Sequence, residues 1–336
     1  EAQTHATLTA LRAILRYYML SGDDKLLRAV EDRFELYKSV GMTENYENYN
    51  WFGRPRWTEP CAVIDSYIVA MQLWQFTGKP AYLADAQLIY YNGIGSEQRY
   101  NGGFGCNTCS GNHDPYTENF TDPFVRIATT ESDRCCTMRG SEGLAKAIEY
   151  SYFTHGDTVI VPNFRNNTVK FDLHGVSLKV DQTTDYPFRG KSEIEISELS
   201  GNKPVTFKIF IPGWTQQAEI YLNDKKTDIR QVKQFAYLTN KFETGDVISI
   251  RFAINSIVRN TLNPNSISGY KAVQFGPFVI GKKAHEVKKV DLNSDLIQLN
   301  NNTFALGQDT LTTLNHMMDS SVTKENNFSF QVLFEK

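Results

Sequence analysis

Five cysteines fall between positions 61 and 136 of a 336-residue chain, and none occurs in the last 200 residues. An odd number of thiols bunched in this way is a poor disulfide framework and points to metal binding or catalysis. Cys135 and Cys136 are neighbours. Adjacent residues cannot readily bridge each other, but both can face one site where the backbone turns. A thiol near a helix N-terminus is also richer in thiolate, the form that attacks carbon and binds metal. Glu59 and Cys61 stand two apart at the expected start of a helix. Three thiolates and a carboxylate (Glu59, Cys61, Cys135 and Cys136) satisfy the four-coordinate preference of Zn²⁺, and soft sulfur donors disfavour Mg²⁺ and Ca²⁺. A competing set exists in the same chain. Cys106-Asn-Thr-Cys109 has the spacing of a zinc knuckle, and with Cys135 and Cys136 it makes a four-cysteine site. Spacing alone favours the four-cysteine set, and both sets stay open at this level.

The elements that must position these residues are helical. Leu8, Leu11, Ile14, Leu15 and Tyr18 recur at helical spacing up to Ser21-Gly22. Asp23 or Asp24 can cap a second helix running through Leu26, Val30 and Phe34 to about Ser39. A polar, aromatic loop (42–57) leads to a third helix, opened by Glu59-Pro60 and closed by Gly78. A fourth runs from Pro80 to about Tyr91 and stops at Asn92-Gly93, and a fifth from Ser141, its expected cap, to about Phe153. The stretch 96–134 reads as a loop, and a loop of that length is more often functional than filler.

From about Asp157 the dominant period is two. Val205, Phe207, Ile209 and Ile211 alternate with Thr206, Lys208 and Phe210, and VISIRFAI and KAVQFGPFVI repeat the pattern between turn signals such as Gly201-Asn202 and Gly245-Asp246. Helices followed by strands predict two domains in series, a helical one over 1–155 and antiparallel β-sandwich over 156–336. The composition, 41% hydrophobic and 22% charged, is that of a globular protein. A formal charge of −3 leaves no electrostatic footprint for nucleic acid. No apolar run approaches the roughly 20 residues that span a bilayer. Residues 1–18 lack the apolar core of a signal peptide and read as the middle of a helical domain, so the chain is expected to be part of a longer protein. Its oligomeric state is not legible.

The string Glu59-Pro-Cys61-Ala, the pair Cys135-Cys136 ahead of a helix, and the β-region pieces GDTVIVPNF (156–164), QTTDYPFRG (182–190), FIPGW (210–214), IYLND (220–224) and FGPFVIG (275–281) resemble glycoside hydrolase family 127 over about residues 5–285. These are bacterial β-L-arabinofuranosidases acting on plant cell-wall glycans. The resemblance implies the C-terminal part of an (α/α)6 helical barrel followed by antiparallel β-sandwich, with the first part of the barrel absent. It implies Zn²⁺ on Glu59, Cys61, Cys135 and Cys136, with Cys135 as the nucleophile of a retaining hydrolysis of an oligosaccharide. It also implies a location in the periplasm or outside the cell. A glutamate shortly before the E-x-C motif supplies the general acid in the family; Glu44 and Glu47 are the candidates here, and Glu44 is closer to the family spacing. A second family glutamate aligns with Gln87, which cannot exchange a proton. His5 is a further candidate for the cleft. The alternative function is a non-catalytic, glycan-binding or structural module with a purely structural zinc.

Overall fold

The computed structural model describes residues 2–52, 57–99, 101–111, 123–128, 134–215, 218–262, 269–315 and 329–336. Parts of the expected loops, including 53–56, 112–122 and 129–133, lie outside these residues.

Six helices are described: α1 (Thr4–Ser21), α2 (Asp24–Val40), α3 (Pro60–Thr77), α4 (Pro80–Leu88), the short α5 (Gly95–Glu97) and α6 (Arg134–Glu149). The local signals explain most boundaries. Gly22 and Gly78 close α1 and α3 in the left-handed region, at φ 64° and 66°, where a side chain would be strained. The Asp23 carboxylate accepts from the Lys25 N–H and caps α2. Pro60 occupies the first turn of α3, where its missing N–H costs nothing. α1 buries one stripe, Leu8, Leu11 and Leu15, whereas α3 is buried on nearly every side and forms the axis of the helical part.

Two helices differ from expectation. The chain does not stop at Asn92-Gly93 but widens into a π-helical turn, Ile89–Ile94, that leads into α5. The Asn92 amide donates to the carbonyls of Leu88 and Pro277 and accepts from the Val279 N–H, so it ties this turn to a β-hairpin instead of ending it. α6 begins at Arg134, seven residues before the expected cap, and the Ser141 hydroxyl bonds back to the Thr137 carbonyl within the helix.

Among the described residues the β-region forms three sheets. The chain divides into two compact units, Glu1–Lys146 with Ser256–Lys336, and Ala147–Asn255. This division does not follow the expected 1–155 and 156–336, because the last strands return to the helical part. Strand Phe124–Arg126 pairs with Ser329–Gln331 there, in a nine-stranded sheet built mainly from Ser256–Lys336. In that sheet Tyr270–Phe275 and Phe278–Lys283 form a hairpin over Gly276-Pro277.

The second unit holds a five-stranded and a six-stranded sheet. Burial alternates along its strands, as in Val176–Thr184 and Lys191–Ser200, which marks one packed face and one wet face. One pairing departs from the antiparallel expectation: Thr158–Val161 runs parallel to Val205–Phe210. The chain leaves for the other sheet through strands Asn167–Leu173, Val176–Thr184 and Lys191–Ser200 before it returns, and a long crossover of this kind permits a parallel neighbour.

Candidate metal centre

α3 and α6 bring the thiols together. Glu59 is the residue ahead of α3 and Cys61 lies in its first turn. The early start of α6 puts Cys135 and Cys136 in its first turn, not in the loop ahead of it. Two glycines let this helix approach closely, since a Cβ at Gly143 would collide with Ile64 of α3 and one at Gly140 with Phe104.

Charge fixes the register of the two helices. Asp65, one turn beyond Cys61, is fully buried and accepts from Arg12 at 2.5 Å, from Arg139 of α6 and from Thr9 at 2.6 Å. His5 Nδ1 lies 2.9 Å from the same carboxylate. Burial alone would raise the Asp65 pKa, but the bonds from His5, Thr9 and Arg12 outweigh it and hold the carboxyl below its ordinary value. The hydrogen bond that His5 donates to Asp65 in turn raises the pKa of His5.

The Sγ atoms of Cys61, Cys135 and Cys136 all lie within 4.8 Å of one another, and Cys135 and Cys136 are 3.9 Å apart. A tetrahedron of sulfurs about 2.3 Å from zinc has edges of about 3.8 Å, so the donor set and its spacing suit Zn²⁺. Hydrogen bonds from Cys106 and then Cys61 lower the Cys136 thiol to about 3, while its bond with Cys136 pushes Cys61 up and burial raises Cys135. A divalent cation held by these sulfurs would keep them ionised together. Glu59, half-buried, has its pKa raised first by burial, and Gln3 donates to its Oε2 at 3.5 Å. With its amide turned so that nitrogen faces Glu59, Asn50 donates to the same oxygen.

The structure splits the four-cysteine alternative. Cys106 reaches Cys136, but the Cys109 thiol donates to the Asn48 carbonyl at 3.7 Å and takes no part in the thiol group. The two candidate acids also separate. Glu44 is buried against Arg259 (3.0 Å) and both its oxygens accept from the Leu262 N–H at 2.8 and 2.9 Å. Glu47 accepts from Ser96 and from Asn107 at 2.6 Å, and burial pushes it up to about 7. Gln87 is buried in α4.

Sequence reasoning missed Glu97. It is buried, accepts from Thr58 at 2.7 Å, and burial followed by the Glu47 charge holds it well above the carboxylate range. Oε2 of both Glu47 and Glu97 is buried without a hydrogen-bond partner among the described residues. No motif marks Glu97 or Asp65; for Asp65 the one available signal is its position four residues beyond Cys61, on the same helix face.

Residues 158–254 match the family model described as the β-L-arabinofuranosidase, GH127 middle domain. Over those residues the chain is similar to the family 127 middle domain. The resemblance to family 127 read from the motifs therefore holds. The fold of the whole chain is also that of family 127 structures. The crystal structure of a family 127 β-L-arabinofuranosidase from Geobacillus stearothermophilus T6 superposes with a TM-score of 0.78 at 17% identity, over 99% of this chain and 60% of that one. A second family 127 β-arabinofuranosidase gives 0.76 at 16% identity, again over 99% and 60%, and a structure described as a glycoside hydrolase gives 0.79 at 14%, over 99% and 66%. The chain thus spans about 60% of the length of the first two. No curated protein matches it. Among the described residues no helix is long and apolar enough to cross a membrane.

Proposed function

We propose that this chain forms part of a zinc-dependent retaining glycoside hydrolase that removes a terminal L-arabinofuranosyl or related pentofuranosyl residue from plant cell-wall glycans, in the periplasm or outside the cell. Its helices are read as the C-terminal part of an (α/α)6 barrel, and the two sheets of Ala147–Asn255 as a β-sandwich. The observation that carries the functional reading is accessibility. Of the three clustered thiols Cys135 is exposed, while Cys61 and Cys136 are 1% and 3% exposed. A nucleophile must meet its substrate and a ligand need not.

Glu59, Cys61, Cys135 and Cys136 would hold the zinc ion, which when bound keeps thiols ionised near neutral pH. In the first step an electron pair on the Cys135 sulfur forms a bond to the anomeric carbon as the bond from that carbon to the leaving oxygen breaks. The departing oxygen takes its proton from a carboxyl group. In the second step the same group, now a carboxylate, removes a proton from water, whose oxygen displaces the sulfur and restores Cys135. Two inversions give net retention. Glu47 suits the proton transfer better than Glu44: burial keeps Glu47 protonated up to about pH 7, whereas Glu44 is paired with Arg259.

The test is hydrolysis of an aryl β-L-arabinofuranoside by the zinc-loaded protein, with the first-formed anomer read by NMR. Retained configuration is expected, iodoacetamide should label Cys135 and stop turnover, and a substrate analogue should protect it. An inverted product, or undiminished turnover by Cys135→Ala, would overturn the reading. Substrates with poor leaving groups should suffer most in Glu47→Gln, which tests that assignment against Glu44→Gln.

A further inference from the structure

Cys106 belongs to neither the sulfur group within 4.8 Å nor the family's ligand set, yet its backbone is pinned beside both ligand-bearing segments. On one side, the Thr58 N–H donates to the Asn107 carbonyl at 2.7 Å and the Asn107 N–H donates to the Thr58 hydroxyl at 3.0 Å, next to Glu59. On the other, the Phe104 N–H donates to the Thr137 hydroxyl at 3.1 Å, next to Cys136. Two further bonds hold the Cys106 carbonyl itself, from Arg99 at 2.9 Å and from the Ala128 N–H at 3.0 Å. Held this way, the Cys106 side chain hydrogen-bonds to Cys136.

We propose that Cys106 is a reserve ligand, which supplies the thiolate that keeps the metal four-coordinate whenever Cys135 is not bound to it. The inference rests on the zinc reading above. It follows from a conflict of roles: a thiolate that attacks carbon gives up its electron pair to that bond, and the centre then falls to Glu59, Cys61 and Cys136. Zinc prefers four donors. The pinned backbone holds the Cys106 side chain against Cys136, and on becoming a ligand Cys106 would give up its thiol proton to solvent. Cys109, two residues from Asn107 and bonded to Asn48, has no such route.

The experiment counts sulfurs around zinc by X-ray absorption on the zinc-loaded full chain. Cys135→Ala should retain three sulfurs, those of Cys61, Cys106 and Cys136. Cys135→Ala with Cys106→Ser should show two, and should lose zinc to a competing chelator more readily by more than the roughly 10–100-fold typical of outer-shell partners. Cys135→Ala with Cys109→Ser, the control for loop damage, should still show three. Two sulfurs in Cys135→Ala, unchanged by Cys106→Ser, would refute the reserve role and leave the zinc reading standing. A wild-type chain that binds no zinc at all would sink both.

Discussion

The two compact units bury different things. In Ala147–Asn255 the buried polar side chains among the described residues are Asn163, Gln182, Ser192 and Ser249, all neutral. In the unit with the helices, Glu44, Glu47, Asp65, Glu97 and Arg99 are buried. Burying a charge is costly unless it is paired or shed by a proton. Among the described residues one unit buries no charged side chain, while the other buries several that are either paired, as Asp65 and Glu44 are, or pushed towards the protonated form, as Glu47 and Glu97 are. The contrast can be attacked from either side.

The largest effect should come from the cluster itself. Cys135→Ala is expected to lower kcat/KM for an aryl β-L-arabinofuranoside by on the order of 10⁴–10⁶-fold, over about 5 kcal/mol. The melting temperature of the zinc-free protein should hardly move, since the exposed thiol packs against little. Asp65→Ala reverses that pattern. It removes the buried carboxylate from between Arg12 and Arg139 and leaves them only Glu142 among the described residues, and about 3 kcal/mol of stability should be lost in chemical denaturation. If Asp65→Ala unfolds at the wild-type denaturant concentration, the clamp between α3 and α6 does not set their register.

How much was legible follows the same divide. The strands of Ala147–Asn255 could be read because each buries one face, so a period of two is written into residues such as Val205, Phe207 and Ile209. The ends of α1 and α3 could be read because Gly22, Pro60 and Gly78 each perform a local backbone task. Cys135, Cys136, Cys61 and Glu59 stood out by residue type and motif. The rest depended on contacts distant in sequence. Cys106 and Cys109 look equivalent by spacing, and only the bonds of residues 104–109 to Thr58, Asn48 and Thr137 separate them. The π turn reflects Asn92 reaching strand Phe278–Lys283, a contact that no helical periodicity encodes. Glu44 and Glu47 have the same local context, and their fates are set by Arg259 in one case and by Ser96 and Asn107 in the other.

The buried acids make the contrast sensitive to pH. The folded-state pKa of Glu47, about 7, lies above its ordinary 4.5, so the folded protein holds a proton that the unfolded chain has released in between. Its favourable contribution is present below about pH 4.5 and is lost as pH rises through about 7, up to about 3 kcal/mol at 1.36 kcal/mol per pH unit. Glu47→Gln should therefore gain stability relative to wild type at pH 8 compared with pH 5. Taking this difference at each pH cancels the pH dependence of zinc binding, which is common to both proteins. A difference that stays flat from pH 5 to pH 8 would mean that Glu47 is ionised in the fold throughout.

The smallest change belongs to the quiet unit. Ile196, fully buried in strand Lys191–Ser200, sits opposite Val180, and its backbone bonds to Asp246 and Gly245 at 2.8 Å do not depend on its side chain. Ile196→Val removes one methylene from that core and should cost about 0.5–1.5 kcal/mol in chemical denaturation. Zinc content and the pH dependence of stability should match wild type, because no buried charge lies among the described residues of this unit. A loss of zinc on this substitution would contradict the division of labour, since it would tie the hydrophobic core of Ala147–Asn255 to the thiol cluster.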